Sequence, residues 1–259
     1  MCRILTLNIL AENFVLLQYY PGGCDYYLTT KYRLSRLSNF LVTIRNYYDI
    51  VVLQEVTHDT IIDGLTYNGS YNLIRQILRD FDGMFVPHDP SHWLSDSNSY
   101  LQNGNATFVR KSLAPVSFCD IDLTTGNHCL LAQFKGYRIL NVHLDSDEPN
   151  KRQLELSQVL KYLLPGNTTD IIAGDFNMTL DTTMDFQIVS PLSIPTFAFG
   201  ETTAGDMILC RKGHCSSSAN LGQKLWQQQW LDSHRLINCL RLWGTDHTPL
   251  TAVINGNNM

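Results

Sequence analysis

The chain has 259 residues, 44% of them hydrophobic, with 24 acidic and 19 basic side chains and a formal net charge of −5. This is the composition of a globular protein with enough apolar residues for a sizeable core, and it gives no sign of a basic face built for unspecific contact with long nucleic acid. No apolar stretch approaches the ~20 residues needed to cross a bilayer, and the start Met1-Cys2-Arg3 turns polar too soon for a secretory leader, so an intracellular protein (cytoplasmic or nuclear) is expected.

In chain order, residues 3–8 alternate, with Ile4, Thr6 and Asn8 on one face and Leu5 and Leu7 on the other, as a half-buried strand requires. Leu34, Leu37, Leu41 and Ile44 recur at helical spacing. Residues 49–54 form a short, nearly all-apolar run, the pattern of a strand buried on both faces. Further strands are expected at 105–110, 115–121, 129–134, 137–143, 170–174, 207–210 and 250–254. An amphipathic helix carries Leu156, Val159, Leu160, Leu163 and Leu164 and ends at Pro165-Gly166. Segments 10–30, 58–104 and 178–235 read as long irregular loops rich in Tyr, Trp, Gly and Ser.

No repeat, low-complexity tract or Pro/Gly/Ser linker divides the chain, so a single domain over 1–259 is expected. Helices flanking many strands imply a layered α/β architecture, and the hairpin-like group from 105 to 143 implies mixed sheets. The seven cysteines show no CxxC pair and read as reduced thiols; Cys210, His214 and Cys215 lack a second ligand pair at zinc spacing.

The chemistry gathers where apolar runs end. Gly174-Asp175-Phe176-Asn177 follows Ile171-Ile172-Ala173 and sets a carboxylate and a carboxamide two residues apart, on one side of an extended chain. An acceptor for water and a donor for an oxyanion then converge; ordinary turn chemistry accounts for the same pair of residues. Asn8, Gln54-Glu55 and His143 end other strands. Asp206 opens another, and Thr245-Asp246-His247 precedes the last. A charge placed directly after a buried apolar run is costly unless it has partners.

These motifs, in this order, together with Gly104-Asn105-Ala106 and Pro195-Thr196-Phe197, resemble the endonuclease/exonuclease/phosphatase superfamily, the fold of deoxyribonuclease I and exonuclease III. The resemblance implies a four-layer α-β-β-α sandwich with two mixed central sheets. Asn8-Ile9-Leu10-Ala11 with Lys31-Tyr32-Arg33 is similar to the nocturnin and angel type of deadenylase, whereas His143-Leu144-Asp145-Ser146 followed by Arg152-Gln153-Leu154 is similar to the tyrosyl-DNA phosphodiesterase and neutral sphingomyelinase branches.

What the resemblance implies for the residues is coherent. Glu55, Asn8 and Asp246 supply hard oxygen ligands for Mg²⁺ or Mn²⁺ rather than zinc. Asp175 orients or deprotonates water, Asn177 donates to the phosphate, and His143 and His247 hold the remaining phosphate oxygens. Asp206 fixes the tautomer of His247, although Gly205-Asp206-Met207 stands where similar proteins often show Asp-Tyr. Asn105 and Arg110 are assigned to substrate binding. The expected activity is hydrolysis of a phosphodiester in nucleic acid, at a single-stranded RNA or DNA end, by in-line attack of water. A lipid or inositol phosphate headgroup is the alternative substrate, and a non-catalytic binding module on the same fold is a second. Tyr19, Tyr20, Tyr26, Tyr27, Trp93, Trp226 and Trp230 are candidates to stack on bases. Of the glycosylation sequons at Asn68, Asn105, Asn167 and Asn177, the last falls inside this constellation, which agrees with an intracellular protein.

Overall fold

In the computed structural model, the described residues are 1–62, 65–90, 101–163, 168–180, 186–189, 195–198, 205–211, 214–226 and 232–255. The first half of the chain forms β1 (Cys2–Asn8), α1 (Asp25–Leu28), α2 (Thr30–Ile44), β2 (Ile50–His58), β3 (Thr60–Ile62), β4 (Leu65–Tyr67), α3 (Ser70–Ile77), β5 (Phe81–Pro87) and β6 (Gln102–Arg110). The second half forms β7 (Ser117–Asp122), β8 (His128–Phe134), β9 (Tyr137–His143), α4 (Pro149–Lys161), β10 (Thr169–Asp175), β11 (Phe186–Ile188), β12 (Asp206–Arg211), β13 (Cys215–Asn220), α5 (Gln223–Trp226), α6 (Asp232–Trp243) and β14 (Leu250–Ile254).

Two six-stranded sheets run β13-β14-β1-β2-β6-β5 and β11-β12-β10-β9-β8-β7. Both are mixed: β1 with β2 and β9 with β10 are parallel, and the remaining pairs within them are antiparallel. The alternation of β1 explains the layering. Ile4 points into an apolar layer between the sheets with Ile50, Val52, Ile139, Ile171 and Ile208. Leu5 and Leu7 point outward, onto Leu37, Leu41 and Ile44 of α2 and Ile74 of α3. On the opposite outer face, Val159 of α4 packs with Leu140, Val142, Ile172 and Leu209. The result is the expected α-β-β-α sandwich. Each such leucine, truncated to alanine, would cost about 2–5 kcal/mol, so this layering is strongly specified.

A polar seam crosses the apolar interior. Gln54 Nε2 donates to Asn141 Oδ1 at 2.8 Å, and Asn141 Nδ2 donates to the carbonyls of Leu53 and Ala106 at 3.0 Å each. Such bonds link the sheets in one register, because a slip would leave buried amides unpaired. That register carries β1, β2, β9 and β10 to a common edge.

The three segments expected to be irregular contain regular elements. The hairpin β3–β4, α3 and β5 lie within 58–104; α1 lies within 10–30; β11, β13, α5 and the first turn of α6 lie within 178–235. Their signals are weak for physical reasons. Strand β5 is an edge strand holding Asp82, Gly83 and Pro87, and a Cβ on Gly83 would lie 2.4 Å from the Phe108 ring, so glycine there serves packing. Strand β13 is a polar edge, Cys215-Ser216-Ser217-Ser218-Ala219-Asn220. Leu164, Pro165-Gly166 and the Asn167 sequon lie outside the described residues.

Candidate active site

The backbone aims the acidic side chains through two local departures from ideal sheet. In β2, the register with β6 shifts between Leu53 and Val56, a bulge that places Glu55 at φ 55°. An unbranched but bulky residue in the left-handed region is uncommon, and the bulge turns its carboxylate to the sheet edge. The Ala11 N–H donates to Glu55 Oε2 at 2.8 Å. In β10, Gly174 has φ 149° and a Cβ there would sit 1.9 Å from the Val142 carbonyl oxygen, so only glycine lets β10 lie against β9 where it delivers Asp175.

Asn8 joins these two carboxylates. Its Nδ2 donates to Glu55 Oε1 at 2.7 Å and to Asp175 Oδ2 at 3.1 Å, while its Oδ1 accepts the Leu10 N–H at 3.0 Å. The Asn177 N–H closes on Asp175 Oδ1 at 2.9 Å, and Asn177 Nδ2 donates to the Leu144 carbonyl at 2.8 Å. On the neighbouring strand, Asp206 stands opposite Asp175 and its N–H donates to Thr196 Oγ1 at 2.9 Å. Asp206 Oδ2 lies 2.8 Å from His247 Nδ1. His247 Nδ1 is also 4.0 Å from Asp175 Oδ2, and His247 Nε2 is 3.9 Å from Asp246 Oδ1. His143 Nε2 completes the ring, 3.9 Å from Glu55 Oε1.

Burial sets the electrostatics. Glu55 is held above the ordinary carboxylate range by desolvation, partly opposed by His143, the Asn8 hydrogen bond, His247 and the Ala11 N–H. Burial would push His247 down, but Asp206, by charge and hydrogen bond, with Asp246 and Asp175, holds it well above the usual imidazole value. Desolvation also raises Asp206. The hydrogen-bond contact between His247 Nδ1 and Asp206 Oδ2 thus favours the charged form of the imidazole.

The predicted Asn8, Glu55, His143, Asp175, Asn177, Asp206, Asp246 and His247 thus come together at one end of the two sheets. The geometry bears on three assignments. Asn8 Oδ1 accepts the Leu10 N–H and Nδ2 faces the two carboxylates, so the side chain positions them. Arg110 sits at the far end of β6, where its guanidinium reaches the carbonyls of Arg45 and Tyr48, pairs with Asp49 and covers Phe81. Asn105 is fully buried, with its amide on the His128 carbonyl at 2.8 Å; Asn103, two residues nearer the edge on the same strand face, borders the cleft instead.

The cleft encloses about 870 Å³. Phe14, Tyr19 and Phe197 line it, as do Asn103, Asn127 and Asp145. Tyr20, a candidate to stack on bases, has its hydroxyl donating to Asp246 Oδ2 at 3.0 Å, a contact the sequence did not reveal. Tyr26 and Tyr27 pack with Tyr32 at ring distances of 5.0 and 5.3 Å. Trp93, Trp230 and the Trp226 side chain lie outside the described residues. His88, with Nδ1 on the His128 N–H at 2.9 Å and its ring against His143, is a further missed neighbour. Only its histidine identity hinted at a role.

The donor set suits a hard divalent cation. Glu55 and Asp246 are buried carboxylates, Asp206 Oδ1 is buried with no hydrogen-bond partner, and Lys151 is the one Lys or Arg among the described residues lining the cleft. Asp175, Asp206 and His247 also offer ligand atoms within 4.8 Å of one another. Within that trio, His247 Nδ1 is also in hydrogen-bond contact with Asp206 Oδ2.

In this layered α/β sandwich, carboxylates and histidines from both sheets meet at one end, an arrangement suited to phosphate esters. The chain belongs to the Endonuclease/Exonuclease/phosphatase family, whose sequence profile matches residues 5–247. A search of curated proteins found no match. Among solved structures, an endonuclease/exonuclease/phosphatase family protein from Leptotrichia buccalis C-1013-b superposes with a TM-score of 0.65 at 12% identity, covering 98% of this chain and 100% of that one. ANGEL2, described as a 2′,3′-cyclic phosphatase, gives 0.65 at 14% identity over 97% of this chain and 94% of its own. A humanized D. rerio TDP2 carrying 14 mutations gives 0.59 at 18% identity over 98% of each chain. At these identities the likeness is one of fold.

Proposed function

We propose that the chain is a divalent-cation-dependent phosphodiesterase that cleaves at the end of a single-stranded nucleic acid. The observation that carries this reading is the Asn8 amide, which bonds Glu55 from one sheet and Asp175 from the other in a pocket faced by His143 and His247. The ANGEL2 fold likeness supports a nucleotide-type phosphodiester, since that protein is described as a 2′,3′-cyclic phosphatase.

Glu55 and Asp246 would hold Mg²⁺ or Mn²⁺, which when bound polarises a non-bridging phosphate oxygen and neutralises the leaving oxygen. The chain's own groups do the rest. Asp175, fixed by the Asn8 amide and the Asn177 N–H, orients the attacking water and accepts its proton. His143 and the cationic His247 draw the phosphate oxygens into line, and Asp206 keeps His247 charged and oriented. Tyr20 holds Asp246 from behind.

The test is a panel of labelled oligo(A), DNA and RNA ends, sphingomyelin and phosphoinositides, each with Mg²⁺, with Mn²⁺ and with chelator. Metal-dependent cleavage of the oligonucleotides supports the proposal; activity confined to a lipid or inositol phosphate refutes it.

A further inference from the structure

The placement of positive charge around the cleft is uneven. Of the 19 lysines and arginines, all but Lys212 fall among the described residues, and among those only Lys151 lines the cleft. Lys151 is itself compensated, with Nζ 2.7 Å from Glu148 and 3.9 Å from Asp145. Arg152, one residue on, is spent on the carbonyls of Asp145 and Ser146 at 2.9 and 2.8 Å. Arg33 is buried against the carbonyls of Ile9 and Leu10, and Arg138 and Arg211 are paired with Asp170. Arg75, Arg79 and Lys111 line a different groove of about 820 Å³ that shares no residue with the cleft.

What the rim does offer is acceptors. Asp145 and Asp147 line it, and the Asn103 side chain borders the cleft 1% exposed with its Oδ1 lacking a hydrogen-bond partner. A buried acceptor without a donor costs free energy unless a ligand supplies one. Phosphate oxygens cannot; a hydroxyl or amino group can. Phe14, Leu16, Tyr19 and Phe197 add an apolar surface on which a flat neutral group can lie. A polyanion laid along this rim would meet carboxylates, whereas one phosphate at the floor would meet His143 and His247.

Resting on the phosphodiesterase reading above, we propose that the cleft grips one phosphate together with one neutral, hydroxyl- or amino-bearing group of its substrate and does not track a polynucleotide backbone. The chemical unit recognised is a single nucleoside phosphodiester, whether it is a free dinucleoside monophosphate or the last linkage of a strand.

The experiment compares a dinucleoside monophosphate with 4-, 8- and 16-residue oligonucleotides of the same end sequence, with Mg²⁺, across a series of salt concentrations. Each single-strand phosphate contact contributes a slope of about −0.7 in log affinity against log salt, so one or two contacts give a slope no steeper than about −1.4. The expected result is that slope, with kcat/KM per end varying by less than about threefold across the lengths. A slope of about −3 or steeper, which requires four or more phosphates, or a tenfold rise with length, would overturn the inference and leave the phosphodiesterase reading intact. Binding of the same series to the Asp175→Asn protein, followed by fluorescence anisotropy, separates the two claims. Absence of hydrolysis by the wild-type protein at every length refutes the catalytic reading, and variant binding that strengthens with length then refutes this one as well; length-independent binding with the shallow salt slope upholds it.

Discussion

His247 Nδ1 lies 2.8 Å from Asp206 Oδ2, and the buried carboxylate makes the imidazole hold its proton more firmly than it would alone. The consequence is a cation at the floor of the cleft, placed by residues 41 positions apart in sequence. Asp206 fills this role although it stands in an unusual Gly-Asp-Met setting.

The pH dependence follows from that pair. His247 has a folded-state pKa raised well above its unfolded value of about 6.5. Its contribution to stability is therefore fully present below pH ~6.5 and is lost as pH rises through the folded value. Hydrolysis should persist above the usual imidazole range and fall on the alkaline side. Asp206→Asn should move that alkaline limb toward lower pH and lower kcat by about 10²–10³. Proton NMR of the His247 ring in both proteins checks the shift; an unchanged alkaline limb in the variant would contradict the pairing.

Glu55 predicts the opposite sign for metal binding. Burial raises its pKa, so protons compete with the cation, and affinity for Mg²⁺ or Mn²⁺ should weaken as pH falls through that raised value. Calorimetry in buffers of different ionisation enthalpy should show proton release on binding. Glu55→Gln should remove both the release and most of the affinity, and chelator should abolish hydrolysis.

Gly174→Ala tests the strand geometry that delivers Asp175. The added methyl would start 1.9 Å from the Val142 oxygen at a φ of 149°, so β9 and β10 must part. A loss of about 3 kcal/mol or more in urea unfolding is expected, with activity falling further than stability explains.

Arg110→Met tests the removal of that residue from the substrate site. The guanidinium holds the Arg45 and Tyr48 carbonyls at the end of β6 remote from the cleft, so the variant should lose about 1–3 kcal/mol of stability while kcat/KM of the folded fraction stays within about twofold. Chemical denaturation alongside kinetics checks both halves of the expectation.

Much of the site was legible because its residues stand where buried apolar runs end: Asn8 after Leu5 and Leu7, Glu55 after Ile50-Val51-Val52-Leu53, Asp175 after Ile171-Ile172-Ala173. The layered α/β class followed from the strand runs and from helical spacing in α2 and α4, while the arrangement in two sheets was what the family resemblance implied. What escaped depends on geometry that has no periodic signature. The bulge at Glu55 carries no glycine to mark it. The orientation of the Asn8 amide is set by the Leu10 N–H, in a turn where Leu10 itself has φ 59°. The Tyr20–Asp246 contact, His88 and Asn103 come from segments whose elements are too short or too polar to register, and alternation along β6 could not say that Asn103 rather than Asn105 reaches the cleft.

The central claim, that Asp175 and His247 act on one phosphate in a metal-assisted hydrolysis, is tested most directly by one kinetic comparison. Wild-type, Asp175→Asn and His247→Ala proteins, each shown by circular dichroism to be folded, would be assayed on a dinucleoside monophosphate with Mg²⁺ and with excess chelator. The account predicts turnover only for the wild type with metal and a loss of at least about 10² in each variant. Full activity in either variant, or in chelator, would contradict it.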